Sequence, residues 1–549
     1  MSFRTLTASW LAVVFIACLG FKLVHDTDIF WQVKLGQITL EDGRIPLGDR
    51  FSYTHAGEPV PPIYWLAQIL LASLYNLGGW HLARAAHQLA VVGSLVVAAA
   101  TCQRDRTSPF SVLVAMTIGF AVIVSNADLR PQSFGLLGFA ILLALARGCA
   151  PFWCKLLVAP AVLVIWQNMH PSVVMGAVAL GGLAMADFVD RQHVPGKAWQ
   201  LVVLTLLAFA SQFATPLGSR IVDVSVDNLR ISREVLHIGE WLPPWNPLIS
   251  PDAVRTYWIA LFCSTVAFAW FWRHISWRDR ALFVVMTLLS LYASRFIVLW
   301  AVALVPLWAE LVERIVPRDM FVWARGRDDK PVDRVRSWIV VAVVLLIVMN
   351  LQRLWFGSIF RREIAENGIQ RLRDELPAAA RIYNNYRWAG PLILNGSPEW
   401  RVAVDGRLYF FREPSEWRAI DDARAGRISL DELEQRHHPD AFFLHPGMDR
   451  GLIDRLLKCP RWRVCYAGPT SVAFVRARRE NGLQIQPKRQ DALNTRKENP
   501  DVPVPKVHNP ATARSVGDSE CRPGHRCDGR VARHFANQAR FARVGLLEV

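Results

Sequence analysis

The chain has 549 residues, 52% of them hydrophobic and 22 of them tryptophan, with a mean hydropathy of +0.21 and a formal net charge of +16. Its apolar residues gather in long runs separated by short charged punctuation, which excludes an ordinary soluble protein and points to the membrane class. The charge does not signal nucleic acid, because the basic residues lie mostly in short loops between hydrophobic stretches and in a polar tail, as in the inward-facing loops of bilayer proteins.

A bilayer core requires roughly 20 apolar helical residues. Residues 7–24, 84–102, 172–189, 198–215, 256–272, 296–313 and 337–353 qualify, and 109–125, 132–147, 151–167 and 280–293 are shorter or interrupted runs bounded by charge or turn residues. Together they predict an all-α polytopic membrane domain of about eleven transmembrane helices. The first run follows Arg4 and leads, without a small-x-small cleavage site, into His25-Asp26-Thr27-Asp28, so it reads as an uncleaved anchor. With the N-terminus inside, residues 103–108, 147–150, 190–198, 273–280 and 314–336 become cytoplasmic and carry most of the loop Lys and Arg, including Arg147, Arg278 and Arg280. The outer face receives residues 25–62, 126–132, 168–172, 216–255 and 294–295 and everything beyond about residue 354.

Within the first outer loop, Ile29, Phe30, Val33, Ile38 and Leu40 sit among Lys34, Gln37 and Glu41, the pattern of an amphipathic helix lying in the interface. Residues 63–75 read as a second such helix, ended by Gly78-Gly79, with a twelfth span as the alternative. From residue 361 to 478 the composition turns soluble. Short runs at Leu392-Ile393-Leu394, Val402-Ala403-Val404 and Val472-Ala473-Phe474-Val475 predict strands, flanked by helices at 361–381 and 430–437. The expected organisation is a membrane domain over 1–354, a small soluble α/β domain over 355–479 and a disordered basic tail over 480–549. The nine cysteines form no framework, and Cys521-x3-His525-x-Cys527 has zinc half-site spacing without a second pair.

Asp26 and Asp28 stand just outside the first span. In an extended segment alternate residues point the same way, so the two carboxylates would share a divalent cation such as Mg or Mn, or divide the roles of base and ligand. A solvated helix end is the plain alternative. Arg130 in Leu129-Arg130-Pro131-Gln132, His170 in Trp166-Gln167-Asn168-Met169-His170 and Arg295 in Ala293-Ser294-Arg295-Phe296 all fall at outer helix ends. Alone, each snorkels or caps. Together they set positive charge and an imidazole opposite two carboxylates at the depth of a lipid phosphate, an arrangement suited to phosphate or diphosphate. The long loop adds Glu240 and Trp241 as candidate substrate contacts, with membrane anchoring as the plain reading of its tryptophans.

His25-Asp26-Thr27-Asp28-Ile29-Phe30-Trp31-Gln32, Gly36, Gly43-Arg44-Ile45-Pro46 and Asp49-Arg50-Phe51-Ser52-Tyr53-Thr54, with the Arg130 and His170 motifs and Val404-Asp405-Gly406-Arg407, resemble a bacterial branch of the GT-C superfamily of integral-membrane glycosyltransferases. That superfamily includes protein mannosyltransferases and aminoarabinose and galacturonic-acid transferases. The resemblance spans about residues 7–478. It implies a polyprenyl-phosphate sugar donor, transfer to a cell-envelope acceptor on the outer face of the bacterial cytoplasmic (inner) membrane, and Asp28 or Asp26 as base or metal ligand. Arg130, His170 and Arg295 are expected at the donor phosphate, and Asp405 with Arg407 as an internal pair. The expected partners are the lipid-linked donor, membrane lipids and the acceptor, with no nucleic acid. The rival expectations are a transporter or flippase of a lipid-linked substrate, which needs ionisable groups deep within spans, and a non-catalytic scaffold.

Overall fold

A computed structural model describes residues 3–102, 107–190, 198–316, 359–360, 365–396, 399–410 and 413–477 and scattered positions within 341–352. The predicted tail with its Cys521/His525/Cys527 spacing, most of the predicted span 337–353 and parts of three basic loops lie outside the described residues.

In chain order the helices with described bounds in the membrane part and its loops are α1 (Phe3–Phe21), α2 (Asp28–Asp42), α3 (Trp65–Ala100), α4 (Pro109–Ile123), α5 (Gln132–Arg147), α6 (Phe152–Met169), α7 (Val173–Val189), α8 (Ala198–Ser211), α9 (Ile221–Arg230), α10 (Pro251–Trp270), α11 (Trp277–Tyr292) and α12 (Ile297–Ile315). Five are long and apolar enough to cross a membrane: α3, α6, α10, and α4 and α12 counted with their adjoining 3-10 turns. Shorter apolar helices stand at Ser9–Phe21, α5, α7 and α8. A helix thus occupies each predicted run from 7–24 to 296–313, without all of them reaching the length of a full crossing. α12 forms the centre, with Trp300, Ala301, Leu304, Val305 and Ala309 all inaccessible to solvent.

The expected break at Gly78-Gly79 is a kink within α3, where Gly79 takes φ +63° and ψ −161°, a conformation open to glycine. The half before the kink packs on α2. Gly36 lets the two backbones meet, since a Cβ there would fall 2.0 Å from the Gln68 carbonyl oxygen. α2 departs from the expectation of a helix lying in the interface: Ile29, Phe30, Trp31, Val33 and Leu35 are all buried. The physical reason is that a second layer covers it, because the C-terminal sheet domain rests on the face that membrane or water would otherwise meet.

That domain holds β1 (Arg381–Asn384), β2 (Arg401–Val402), β3 (Ala441–Leu444), β4 (Trp462–Ala467) and β5 (Val472–Arg476) in the order β2-β1-β3-β5-β4. The first three are parallel and β5 and β4 antiparallel. Its helices are α13 (Glu366–Glu375), α14 (Ala389–Asn395), α15 (Pro414–Arg424), α16 (Leu430–His437) and α17 (Arg450–Lys458). Leu392-Ile393-Leu394, expected as a strand, lies in α14. A short apolar run does not distinguish a buried strand from a buried helical turn, and here the run forms the crossover between parallel β1 and β2. β1 begins at Arg381, the last residue of the stretch expected as helix.

The first loop completes the sheet. The Tyr53 amide donates to the Val402 carbonyl at 3.1 Å, and the Val402 amide to Phe51 at 2.9 Å. The Thr54 hydroxyl adds a bond to the Ala403 carbonyl at 2.8 Å. Residues 51–54 thereby cover the β2 edge. Beneath them Arg407, 1% exposed, pairs with Asp405 and Asp49 at 2.5 Å each. The expected internal pair is therefore a triad, joining two sequence motifs more than 300 residues apart.

Candidate functional site

The chain leaves α1 through a set of capped carbonyls. Arg84, buried on α3, donates to the carbonyls of Leu19, Gly20 and Lys22, and the Lys22 ammonium donates to those of Val124, Ser125 and Ala127 at 3.0 to 3.1 Å. With these backbone acceptors satisfied, the next few residues have a fixed starting point.

Asp26 and Asp28 do not form the expected extended pair. Thr27 has helical backbone angles, α2 begins at Asp28, and the Asp28 amide donates to Oδ1 of Asp26 at 2.8 Å. Asp26 thus caps the helix that carries Asp28. The sheet domain closes on this turn with two glycines. A Cβ on Gly390 would fall 2.0 Å from the Thr27 carbonyl oxygen, and one on Gly406 would fall 2.0 Å from Oδ1 of Asp28.

The candidate residues from four separate loops converge here. Nε of Arg130 donates to Oδ2 of Asp26, and its Nη1 donates to Oε2 of Glu240 at 2.8 Å. Arg295 lies over the Trp241 ring, 3.8 Å from its centroid, with Nη2 3.4 Å from Nε2 of His170. Nδ1 of His170 is 2.9 Å from the Ser172 hydroxyl, and its ring stacks on Tyr64 with centroids 5.6 Å apart. An arginine accepts no proton, so this geometry selects the tautomer with Nδ1 protonated toward Ser172 and the Nε2 lone pair toward Arg295.

Burial and neighbouring charge divide the roles of these groups. Burial raises the proton affinity of both aspartates, while the Arg130 guanidinium draws Asp26 back toward ionisation. Asp28 has no cation at ion-pair distance among the described residues. Burial, reinforced by the Asp26 charge, pushes it up to about 8. For Glu240 burial opposes ionisation, but Arg130 and Arg295 outweigh it and hold the carboxyl below the usual range. Burial, then Arg295 and Arg130, press His170 well below its ordinary value, so its imidazole is neutral. Burial also raises the phenols of Tyr64, Tyr386 and Tyr409, keeping them protonated donors.

Two cavities meet at this cluster. The larger, about 1070 Å³, runs out beneath the sheet domain and the 228–248 loop; the smaller, about 630 Å³, runs between the ends of α3, α4, α5 and α12. Asp26, Asp28, Arg130, His170, Arg295 and Tyr386 line both. Trp241 lines the larger cavity, and Glu240 borders both. Reasoning from sequence missed Tyr64, Tyr386, Tyr409 and Gly390; Gly406 lay within a recognised motif, but its contact with Asp28 carried no local signal.

A divalent ion held by Asp26 and Asp28 fits this donor set poorly. Asp26 is committed to Arg130 and to the Asp28 amide, an arginine occupies the centre of the cluster, and no three His, Cys, Asp or Glu side chains gather as ligands among the described residues.

The architecture has counterparts among solved structures. The archaeal oligosaccharyltransferase AglB from Archaeoglobus fulgidus, solved with an inhibitory peptide and a dolichol-phosphate, superposes with a TM-score of 0.54 at 10% identity, covering 88% of this chain and 75% of its own. ArnT from Cupriavidus metallidurans in the apo state matches with a TM-score of 0.51 at 13% identity, covering 86% and 97%. The chain has the GT-C fold. The mycobacterial arabinofuranosyltransferase AftD shares it over 88% of this chain and 42% of its own, at 14% identity and a TM-score of 0.51. No family model and no curated protein matches the sequence, so the GT-C likeness is one of fold.

Proposed function

We propose that this protein is a membrane glycosyltransferase that moves a sugar from a polyprenyl-phosphate donor to a cell-envelope acceptor on the outer face of the bacterial cytoplasmic membrane. One observation carries the reading. At the junction of two cavities, Asp28 lacks a cation and Arg295 lacks a carboxylate at ion-pair distance, while the Tyr64 and Tyr386 hydroxyls make no hydrogen bond, all among the described residues. A base, a fixed positive charge and neutral donors left open together are what transfer from a phosphate leaving group requires.

In this reading the acceptor hydroxyl passes its proton to the Asp28 carboxylate as its oxygen bonds to the anomeric carbon of the donor sugar. The bond from that carbon to the phosphate oxygen breaks, and its electron pair leaves with the lipid phosphate. Arg295 faces the charge that grows there, with the guanidinium held by the Trp241 ring and the His170 lone pair. Arg130, already shared between Asp26 and Glu240, orients the first loop and adds charge at longer range. The smaller cavity, with Val91, Ile123, Leu136 and Leu299 in its wall, suits the lipid end of the donor. The GT-C fold supports the reading, as does the dolichol-phosphate in AglB. The outer-face assignment rests on the Arg-rich ends opposite the site.

The test is sugar release from a panel of polyprenyl-phosphate sugars by the purified protein in lipid, wild type beside Asp28→Asn. Release that depends on Asp28 supports the reading. A folded protein that consumes none of the donors overturns it.

A further inference from the structure

The wall of the larger cavity that faces Asp28 is built by the sheet domain, and its chemistry is not that of a lipid site. Trp417, Arg418 and Asp421 all line it from α15, where the spacing i, i+1 and i+4 keeps them within about a third of the helix circumference. Tyr386 stands beside Trp417, with ring centroids 6.2 Å apart at 62°, so two aromatic faces form a corner in the same wall. Tyr386 also borders the catalytic cluster, and the Asp28 charge is among the influences on its phenol.

Resting on the glycosyl-transfer reading above, we infer that this wall is an acceptor subsite and that the acceptor is a saccharide. Ring faces meeting at an angle receive the C–H face of a sugar, while a neighbouring guanidinium and carboxylate are the donors and acceptors that adjacent hydroxyls use. A sugar ring against Trp417 and Tyr386 can present a hydroxyl toward Asp28, where the proposed proton transfer takes place. One common way to hold a polypeptide acceptor is to add it as a strand to an open sheet edge. The β2 edge is already occupied by residues 51–54 of the first loop. The cavity volume of about 1070 Å³ accommodates more than one ring beside the donor sugar.

The experiment uses the full chain in lipid with a polyprenyl-phosphate hexose and two acceptor panels, hexose and N-acetylhexosamine oligosaccharides in one and peptides bearing Ser, Thr and Asn in the other. Transfer to saccharide is expected. Trp417→Ala should raise the acceptor KM roughly tenfold while the donor KM moves less than about twofold, with Trp417→Phe recovering most of the loss. Arg418→Ala changes an exposed side chain and guards against a folding defect; it should raise the acceptor KM about threefold to tenfold. Transfer to peptide alone overturns the inference, as do unchanged acceptor KM values in both alanine variants. Donor hydrolysis by the wild type without transfer to any saccharide overturns this inference and leaves the glycosyl-transfer reading standing. A wild type that consumes no donor overturns both.

Discussion

Charged or ionisable residues stand at or just beyond both ends of helices α5, α7 and α11, and the two ends are built differently. Away from the site, Arg147 meets Asp279 at 2.5 Å, and Arg278 grips Asp187 with Nε and Nη2 at 2.6 Å each. Asp279 also accepts from the Ser276 hydroxyl at 2.6 Å. Asp187 and Asp279 each have their own guanidinium, which is how a bundle locks helix ends together. At the site end, Arg130 is divided between two carboxylates, while among the described residues Asp28 has no cation and Arg295 no carboxylate at ion-pair distance. Holding unpaired charge in a buried place costs stability, so the comparison separates a structural end from a working one.

The largest effect is expected of Asp28→Asn. Transfer should fall about 1,000-fold or more, because the acceptor loses its base. Wild-type kcat/KM should rise with pH and level off above about 8, since the ionised carboxyl is the active form. Stability should move the opposite way. The folded-state value near 8 lies above the unfolded value of about 4, so the stability that protonated Asp28 contributes is complete below pH of about 4 and is lost as pH rises through 8. The asparagine variant should therefore melt above wild type, by an amount on the order of a few kcal/mol at high pH and less near pH of about 5. A variant that is both inactive and less stable at every pH would place Asp28 among the structural carboxylates. Next in size, Arg295→Ala should lower kcat about 100-fold with little change in melting, whereas Arg130→Ala strands Asp26 and Glu240 and should cost about 3–5 kcal/mol of stability. Thermal melts beside kinetics on both variants would show whether the two arginines divide in this way.

Asp28, Arg130, His170, Glu240 and Arg295 are gathered from sequence by their places at the ends of or between long apolar runs, the most dependable local signal a chain offers, and the fold brings the same residues around two joined cavities. Contacts made only by tertiary packing left no comparable trace. Gly390 and Gly406 carry no local sign that their missing side chains make room for Thr27 and Asp28. Strands as short as Arg381–Asn384 and Ala441–Leu444 hold too few residues to display a period of two. Leu392 and Ile393 are buried as firmly in a helical turn as they would be in a strand, so apolarity alone misassigned them. The Asp26 cap was hidden for a related reason, since an Asp-x-Asp sequence reads as extended until the helix starting at its second acid is known.

The smallest effect belongs to the structural end. Arg278 lies away from both cavities and holds Asp187, whose side chain is 2% exposed. Arg278→Ala should leave that carboxylate buried without its partner and lower stability by about 1–3 kcal/mol, less than the about 3–5 kcal/mol of a fully buried pair because Arg278 itself is 24% exposed. Its kcat and donor KM should stay within about twofold of wild type, because nothing at the site touches either residue. Asp187→Asn in the same background should recover part of the loss, since an amide is cheaper to bury than an unpaired charge. A kcat that fell with Arg278→Ala while melting held steady would mean that the far end of α7 and α11 is coupled to His170 and Arg295 through the helices themselves. The division between a locking end and a working end would then have to be given up.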